Sequence, residues 1–275
     1  YNRHFVSYLR TFNRMGLQAI PMRAETGPIG GNYSHEFLVL ANTGESTVFF
    51  DKTLLDLDTD QGKLHYNQSP EIEKIVERFT KPYARTEDTH DENLFMEVPE
   101  DCRIESRAIE VGQIFYFGTK YSEPMKAFVV SPDGKRVPVH MGSHGIGVSR
   151  LVGAIIEASH DERGIIWPEP VAPFFAGLIN LNYRDEECIK VCDDVYEELG
   201  ANGIEILYDD TDERPGAKFA KMDLIGLPWQ IVVGPKGLAE GKIELVYRRT
   251  GEAILLTVGE VLEKISTAHK ALVKV

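Results

Sequence analysis

Arg150 ends the run His140-Met-Gly-Ser-His-Gly-Ile-Gly-Val-Ser-Arg150 and begins the apolar-periodic stretch Leu151 to Ser159, so it stands in the first turn of a helix entered through glycines. Gly142, Gly145 and Gly147 leave room for a flat ligand to approach the backbone, and a planar guanidinium can hold phosphate oxygens by two parallel hydrogen bonds. A P-loop would need Lys-Ser/Thr directly after the last glycine, and a dinucleotide fingerprint would need an acidic residue ending a second parallel strand. Spacing alone leaves two readings, a phosphate grip and a plain strand-to-helix turn with a surface arginine. Glu36, in Ser34-His-Glu-Phe37, is the second candidate. From its residues alone it reads as a strand glutamate facing water, while His35, adjacent along the strand, points the other way and is structural unless loop distortion brings it in.

The elements that must position these residues follow from periodicity. Tyr1 to Arg14 is an amphipathic helix with Phe5, Tyr8, Leu9 and Phe12 on one face and Gly16 as its stop. Leu17 to Ala24, Ser34 to Ala41 and Thr47 to Asp51 read as strands of a meander, with a tight loop at Thr26 to Gly31. From Lys52 to about Pro99 the pattern weakens to a polar insertion carrying one helix, Pro70 to Thr80, N-capped by Ser69. Ser106 to Gly118 is a long strand, Phe128 to His140 a hairpin around Ser131-Pro-Asp-Gly134, and Val148 to Ser159 a closing helix.

Ile165-Ile-Trp-Pro-Glu-Pro-Val-Ala-Pro173 is a linker, because its prolines fit neither helix nor central strand. Strands and helices then alternate. Strands near 175–181, 204–208, 229–233, 243–247 and 253–257, with helices at 185–202, 216–226 and 259–270, describe an α/β domain with mostly parallel pairing. The expected domains are 1–171 and 172–275.

The 275 residues carry a net charge of −13, with 43% hydrophobic and 27% charged residues. That balance excludes nonspecific coating of nucleic acid, which needs clustered cations, so any such contact is local. No run of about 18 apolar residues exists to span a membrane, and the start Tyr1-Asn-Arg-His lacks a signal-peptide layout. A cytoplasmic or mitochondrial protein is expected. Cys102, Cys188 and Cys192 are sparse and lack zinc-ribbon spacing, which suits reduced thiols, with Cys188 and Cys192 packed inside a helix.

Five separated motifs carry a resemblance. They are Ala24-Glu-Thr-Gly-Pro-Ile-Gly-Gly-Asn-Tyr-Ser-His-Glu-Phe37, Ile109-Glu-Val-Gly-Gln-Ile-Phe-Tyr-Phe-Gly-Thr-Lys-Tyr-Ser122, Gly142 to Arg150, Asp161-Glu-Arg-Gly-Ile-Ile-Trp-Pro168 and Asp209-Asp-Thr-Asp-Glu-Arg-Pro-Gly-Ala-Lys-Phe219. In this order they resemble bacterial prolyl-tRNA synthetases, class II aminoacyl-tRNA synthetases, of the short-insertion kind found in alphaproteobacteria and mitochondria.

The resemblance implies an α+β class II catalytic core built on an antiparallel sheet, incomplete at its N-terminus, followed by an α/β anticodon-binding domain with a mixed sheet. It implies ATP-dependent formation of prolyl-adenylate and transfer of proline to tRNA(Pro), with Mg²⁺ accompanying ATP, no zinc, and a homodimer in the full-length enzyme. Arg150 would be the catalytic arginine on the ATP phosphates, with Glu110, Gly145 and Gly147 beside the nucleotide. Glu36, Gln113, Phe115 and Ser143 would bind proline, Glu36 facing its amine. Relatives carry histidine at Gln113 and tyrosine at His144, departures that bear on the tuning of the pocket. Arg214, Lys218, Lys221 and Asp223 would meet the anticodon, or else form a solvated helix face. The short insertion implies no editing within the chain. Motif 1 and the motif 2 arginine have no place in these residues, which implies the C-terminal part of a longer enzyme; the alternative is a noncatalytic tRNA-binding or regulatory paralogue.

Overall fold

The structure, a computed structural model, describes residues 1–31, 33–58, 66 and 69–273. It divides into two compact units, Tyr1–Ala158 and Ser159–Val275.

In the first unit, α1 (Asn2–Arg14) buries Phe5, Tyr8, Leu9 and Phe12, the apolar stripe its sequence spaces at helical period, and Gly16 ends it at φ 72°. The strands β1 (Ala19–Arg23), β2 (Tyr33–Leu40) and β3 (Ser46–Asp51) follow. Next come α2 (Ser69–Thr80), β4 (Ala84–Thr86), α3 (Glu92–Met96) and the long β5 (Arg103–Gly118). The hairpin β6 (Phe128–Val130) and β7 (Arg136–Pro138) leads to β8 (Met141–Ile146) and α4 (Val148–Ala158). The side chain of Ser69, expected to cap α2, lies outside the described residues.

β5 organises the sheet. Gly112 is paired with both Phe37 and Ile146, so β2 and β8 lie on opposite edges of β5. Ala108 is paired with both Leu40 and Ser46, which places β3 on the edge that β8 occupies further along. β4 pairs antiparallel with β3 and, through Arg85, parallel with Arg23 of β1, so the strands curl back on themselves. The 52–99 segment was expected to be a polar insertion with one helix; it also supplies β4, a strand of only three residues and too short to show a period. The glycine run before Arg150 was expected as an entry to a helix, and it is strand β8. A ladder uses backbone groups, so its glycines hold the strand without announcing it. On one face of the sheet, Phe5, Tyr8 and Phe12 of α1 pack around Phe37 with ring centroids 5.2–5.8 Å apart.

The second unit begins with a short hairpin, β9 (His160–Asp161) and β10 (Gly164–Ile165). Then come β11 (Ala176–Asn180), α5 (Glu186–Ala201), β12 (Ile206–Asp209), α6 (Pro215–Ile225), β13 (Trp229–Val233), α7 (Pro235–Leu238), β14 (Ile243–Tyr247), β15 (Glu252–Leu256) and α8 (Val258–Val273). Strand order is β12-β11-β13-β14-β15, parallel across the first three and antiparallel beyond, which makes the sheet mixed. Leu178, Ile231 and Leu245 pack with Val195, Leu199, Val261 and Ile265 in its main core, where Cys188 and Cys192 are also buried.

Residues 159–171, expected with the first domain, pack with the second unit instead. The buried Arg248 grips Asp161 at 2.7 and 2.8 Å, and Trp167 donates from Nε1 to the Ile225 carbonyl at 3.0 Å. Gly226 ends α6 at φ 76°, and a Cβ there would fall 1.9 Å from the Ile165 carbonyl oxygen. Prolines mark where regular structure stops and say nothing about which core the flanking residues join.

Candidate active site

Side chains alternate across a strand, and in-register partners share a face. On β2, His35 and Phe37 turn toward α1, leaving Ser34 and Glu36 for the opposite face. Glu36 stands across from Gln113 and Ser34 across from Phe115, while Gln113 and Phe115 stand across from Gly145 and Ser143 of β8. The four side chains expected around proline, Glu36, Gln113, Phe115 and Ser143, are thus brought to one face. Gln113 Nε2 donates to Glu36 Oε1 at 3.3 Å and to Ser34 Oγ at 3.2 Å. A Cβ on Gly145 would meet nothing within 4 Å, so this glycine is not demanded by packing; it leaves the backbone beside Gln113 open.

Glu36 is half-buried. Burial pushes its carboxyl up to about 7, and the like charges of Glu110, Asp88 and Glu45 add to the effect. A carboxyl held near neutrality by lack of water and surplus negative charge gains most from a cation placed beside it. The β2–β5 register slips between Phe37 and Leu38, which brings Glu110 opposite Leu38. Its carboxyl is also raised by burial, pulled down by Arg150 and pushed up by Glu45.

Arg150 sits in the first turn of α4 with half of its side chain exposed, and its Nη1 donates to Glu45. Gly147 fixes the turn that delivers it: its N–H donates to the Val111 carbonyl at 3.1 Å, and its carbonyl accepts from Leu151 N at 2.9 Å. Gly145, Gly147, Glu110 and Arg150 therefore follow one another from the β8–β5 ladder into α4. Glu45, in the turn between β2 and β3, carried no mark in the sequence; only the fold brings it to the arginine. Among the described residues, no group of three or more His, Cys, Asp or Glu is arranged to hold a metal ion.

His144 does not belong to this face. It pairs with Ile114, stacks on His4 of α1 at 4.0 Å, and has its imidazole pushed down to about 4, chiefly by burial. Its side chain therefore bears on packing under α1 rather than on the open face. His35, also lowered to about 4 by burial, accepts or donates at Nδ1 with Tyr1 Oη at 2.7 Å.

In the second unit the four residues expected to meet an anticodon do not form one surface. Arg214 is exposed just before α6. Lys221 is partly exposed and paired with Glu213 at 2.9 Å. Lys218 is 1% exposed; its ammonium donates to the Asn180 and Asp209 carbonyls at 2.8 and 3.2 Å and pairs with Asp209. The Asp223 carboxylate accepts from Gln230 at 2.9 Å and pairs with Arg163 at 3.2 Å. Burial thus takes Lys218 off the surface, and these partners occupy Asp223.

Residues 176–268 match the family described as "Anticodon binding domain". The chain is 61% identical over 269 residues to the proline–tRNA ligase of Cereibacter sphaeroides and 61% identical over 270 residues to that of Paracoccus denitrificans. Each match covers 98% of this chain and 60% of the relative, so the chain spans three-fifths of their length. Among solved structures, prolyl-tRNA synthetase from Cryptosporidium parvum complexed with L-proline and AMP covers 99% of this chain, and the match takes in 47% of that one. It superposes with a TM-score of 0.63 at 16% identity, a likeness of fold. Residues 176–268 thus match an anticodon-binding family, and 98% of the chain is similar in sequence to part of the proline–tRNA ligases.

Proposed function

We propose that the protein this chain represents is a proline–tRNA ligase, and that the first unit supplies part of its catalytic domain. The observation that carries the reading is the row Glu36–Gln113–Gly145 on one open sheet face, with Arg150 on the helix that follows the same strand. Prolinium brings the cation that the water-poor Glu36 lacks, with Gln113 and Ser143 as polar neighbours and Phe115 against the ring. Proline's carboxylate attacks the α-phosphate of ATP and pyrophosphate leaves. Arg150, permanently charged, steadies the negative charge that develops, beside Glu110 and the bare backbone of Gly145 and Gly147. Magnesium enters as part of the nucleotide substrate. The 3′-terminal hydroxyl of tRNA(Pro) then attacks the prolyl carbonyl and releases AMP.

Motifs 1 and 2, and with them the homodimer interface and the α-phosphate arginine, belong to sequence outside these residues in this reading. The short 52–99 segment leaves no editing domain, and the cytoplasm or mitochondrion is the working compartment. In the second unit, Arg214 and Lys221 remain as anticodon contacts, with Lys218 and Asp223 supporting from within. A noncatalytic paralogue is disfavoured because Glu36 and Arg150 are both present, one on the open sheet face and the other in the first turn of the helix after β8. The test is proline-dependent ATP–pyrophosphate exchange by the complete protein; exchange with no dependence on proline, or none at all, refutes the reading.

A further inference from the structure

Glu45 reaches Arg150 from the turn between β2 and β3, and that turn is fixed more firmly than a strand connection needs. Arg107, on β5, spends its whole guanidinium on it. Nε donates to the Gly44 carbonyl at 2.8 Å, Nη2 to the Glu45 carbonyl at 3.0 Å and Nη1 to the Thr47 hydroxyl at 3.0 Å. A rigid fork serves three acceptors at once, which the single ammonium of a lysine does not. The Arg107 carbonyl accepts from Ala41 N at 3.1 Å, and Gly44 N closes the turn on the Ala41 carbonyl at 2.9 Å. Gly44 lies flat on β5, where a Cβ would come 2.3 Å from the carbonyl group of Ala108, so only glycine fits there.

The turn also touches α4 at two points. Thr43 Oγ1 donates to Glu157 at 2.7 Å, and Glu45 accepts from Arg150. Arg150 and Glu157 stand seven residues apart, so they share one stripe of the helix. Connections of this kind are ordinarily mobile and tolerant of change. Burial does not explain the hold, because half of each side chain in the Glu45–Arg150 pair is exposed. What the mount fixes is the place of one carboxylate. Its charge reaches the open face, where it helps to raise the carboxyls of Glu36 and Glu110.

A guanidinium able to grip phosphate attracts any anion, whereas an exposed ion pair is weak enough for a polyanion to displace. A carboxylate held in position against that guanidinium therefore sets a threshold. Weak anions fail to displace it, and a ligand with several phosphate oxygens succeeds.

We propose that Arg107 is a positioning residue and the 43–47 turn an anion guard: Arg107 holds Glu45 on Arg150 while the site is empty, and the triphosphate of the nucleotide displaces it. The inference rests on the ligase reading for the identity of that nucleotide, ATP, and on the geometry alone for the guard.

In the complete protein, Arg107→Lys keeps the charge and loses the fork. KM for ATP in proline-dependent pyrophosphate exchange should fall by about two- to fivefold, the range that release of an exposed pair allows, with KM for proline within about twofold. The dissociation constant of inorganic tripolyphosphate, measured by calorimetry, should fall by the same factor, because this ligand must displace Glu45 too. In a Glu45→Gln background Arg107→Lys should change neither quantity, since it acts through the glutamate. Thr43→Val, which removes the second anchor, should tighten tripolyphosphate binding by a smaller factor. Unchanged or weaker tripolyphosphate binding in Arg107→Lys overturns the proposal, as does an effect that persists in full beside Glu45→Gln. Failure of tripolyphosphate to bind the parent and every variant overturns it as well. Tripolyphosphate binding that follows this pattern in a protein without proline-dependent exchange would sink the ligase reading and leave the guard in place.

Discussion

Gln113 and Glu36 face each other across β5 and β2, and the amide of one donates to the carboxyl of the other at 3.3 Å. A neutral amide satisfies one oxygen without supplying charge, so the carboxyl stays raised by burial, near 7. Proline binding should therefore weaken as pH falls from 8 to 6 and Glu36 takes up a proton. Glu36→Gln should raise KM for proline tenfold or more, leave KM for ATP within about twofold, and flatten this pH dependence. Equal losses for both ligands would mean that the substitution disturbs the fold.

The same residue ties function to stability. Its folded pKa lies above the ordinary glutamate value of 4.5, so below 4.5 both states are protonated and no cost arises. As pH rises toward 7 the unfolded chain ionises first, and stability declines. Glu36→Gln should thus be more stable than the parent at pH 8, by at most about 3 kcal/mol, and should match it near pH 4. Chemical denaturation at the two pH values measures the difference, and a destabilised Gln variant at pH 8 contradicts the burial argument.

Arg150 and Glu45 make an exposed ion pair where α4 leaves the β8–β5 ladder. Arg150→Ala should lower pyrophosphate exchange by roughly 100-fold or more, on the order of 3 kcal/mol of transition-state stabilisation, with unfolding unchanged. An exposed pair contributes about 0–1 kcal/mol, so freeing the arginine by Glu45→Gln should lower KM for ATP by no more than about fivefold. A higher KM in Glu45→Gln would show that the glutamate aims the arginine rather than competing for it.

Much of this site was legible in the sequence because it rests on local rules. The period of α1 gives its buried face, and strand alternation separates Glu36 from His35. What stayed hidden depends on long-range pairing. β4 is too short to show a pattern, β8 is spelled with glycines, and Glu45 meets Arg150 only after β3 and β8 take the same edge of β5. Lys218 is hidden for a related reason. A lysine near a helix start reads as a surface cation, and nothing local reveals that the carbonyls ending β11 and β12 converge on it.

Lys218→Met tests that point. The ammonium has oxygen partners on Asn180 and Asp209, and removing it leaves the buried Asp209 without its nearest cation. Loss of a buried partner of this kind costs about 3–5 kcal/mol, so the second unit should melt earlier. The salt dependence of tRNA binding should not change, because Lys218 touches no phosphate. Arg214→Ala should do the reverse, with thermal stability kept and a shallower salt slope. A reduced slope in Lys218→Met at unchanged stability would return that lysine to the RNA surface.

Arg248 supplies the last test, because it decides where the second unit begins. It is 2% exposed, grips both oxygens of Asp161, and lies 3.6 Å from Asp223, so residues 159–171 are held to β14 and α6 by charge as well as by Trp167. Asp161 is held well below the usual carboxylate range, chiefly by its hydrogen bonds from Arg248. A depressed folded pKa contributes stability that is full above the ordinary aspartate value of 3.8 and is lost as pH falls below it. The chain 159–275 should therefore melt at least about 5 °C above 172–275 at pH 7, and the gap should narrow as the solution is acidified below pH 4. Arg248→Met in 159–275 should remove most of the gap at neutral pH, since it takes away the buried guanidinium that Asp161 and Asp223 share and leaves only the half-exposed Arg163 between them. Equal melting of the two chains would show that the hairpin rests on this unit without stabilising it, and would return the boundary to the proline-rich segment.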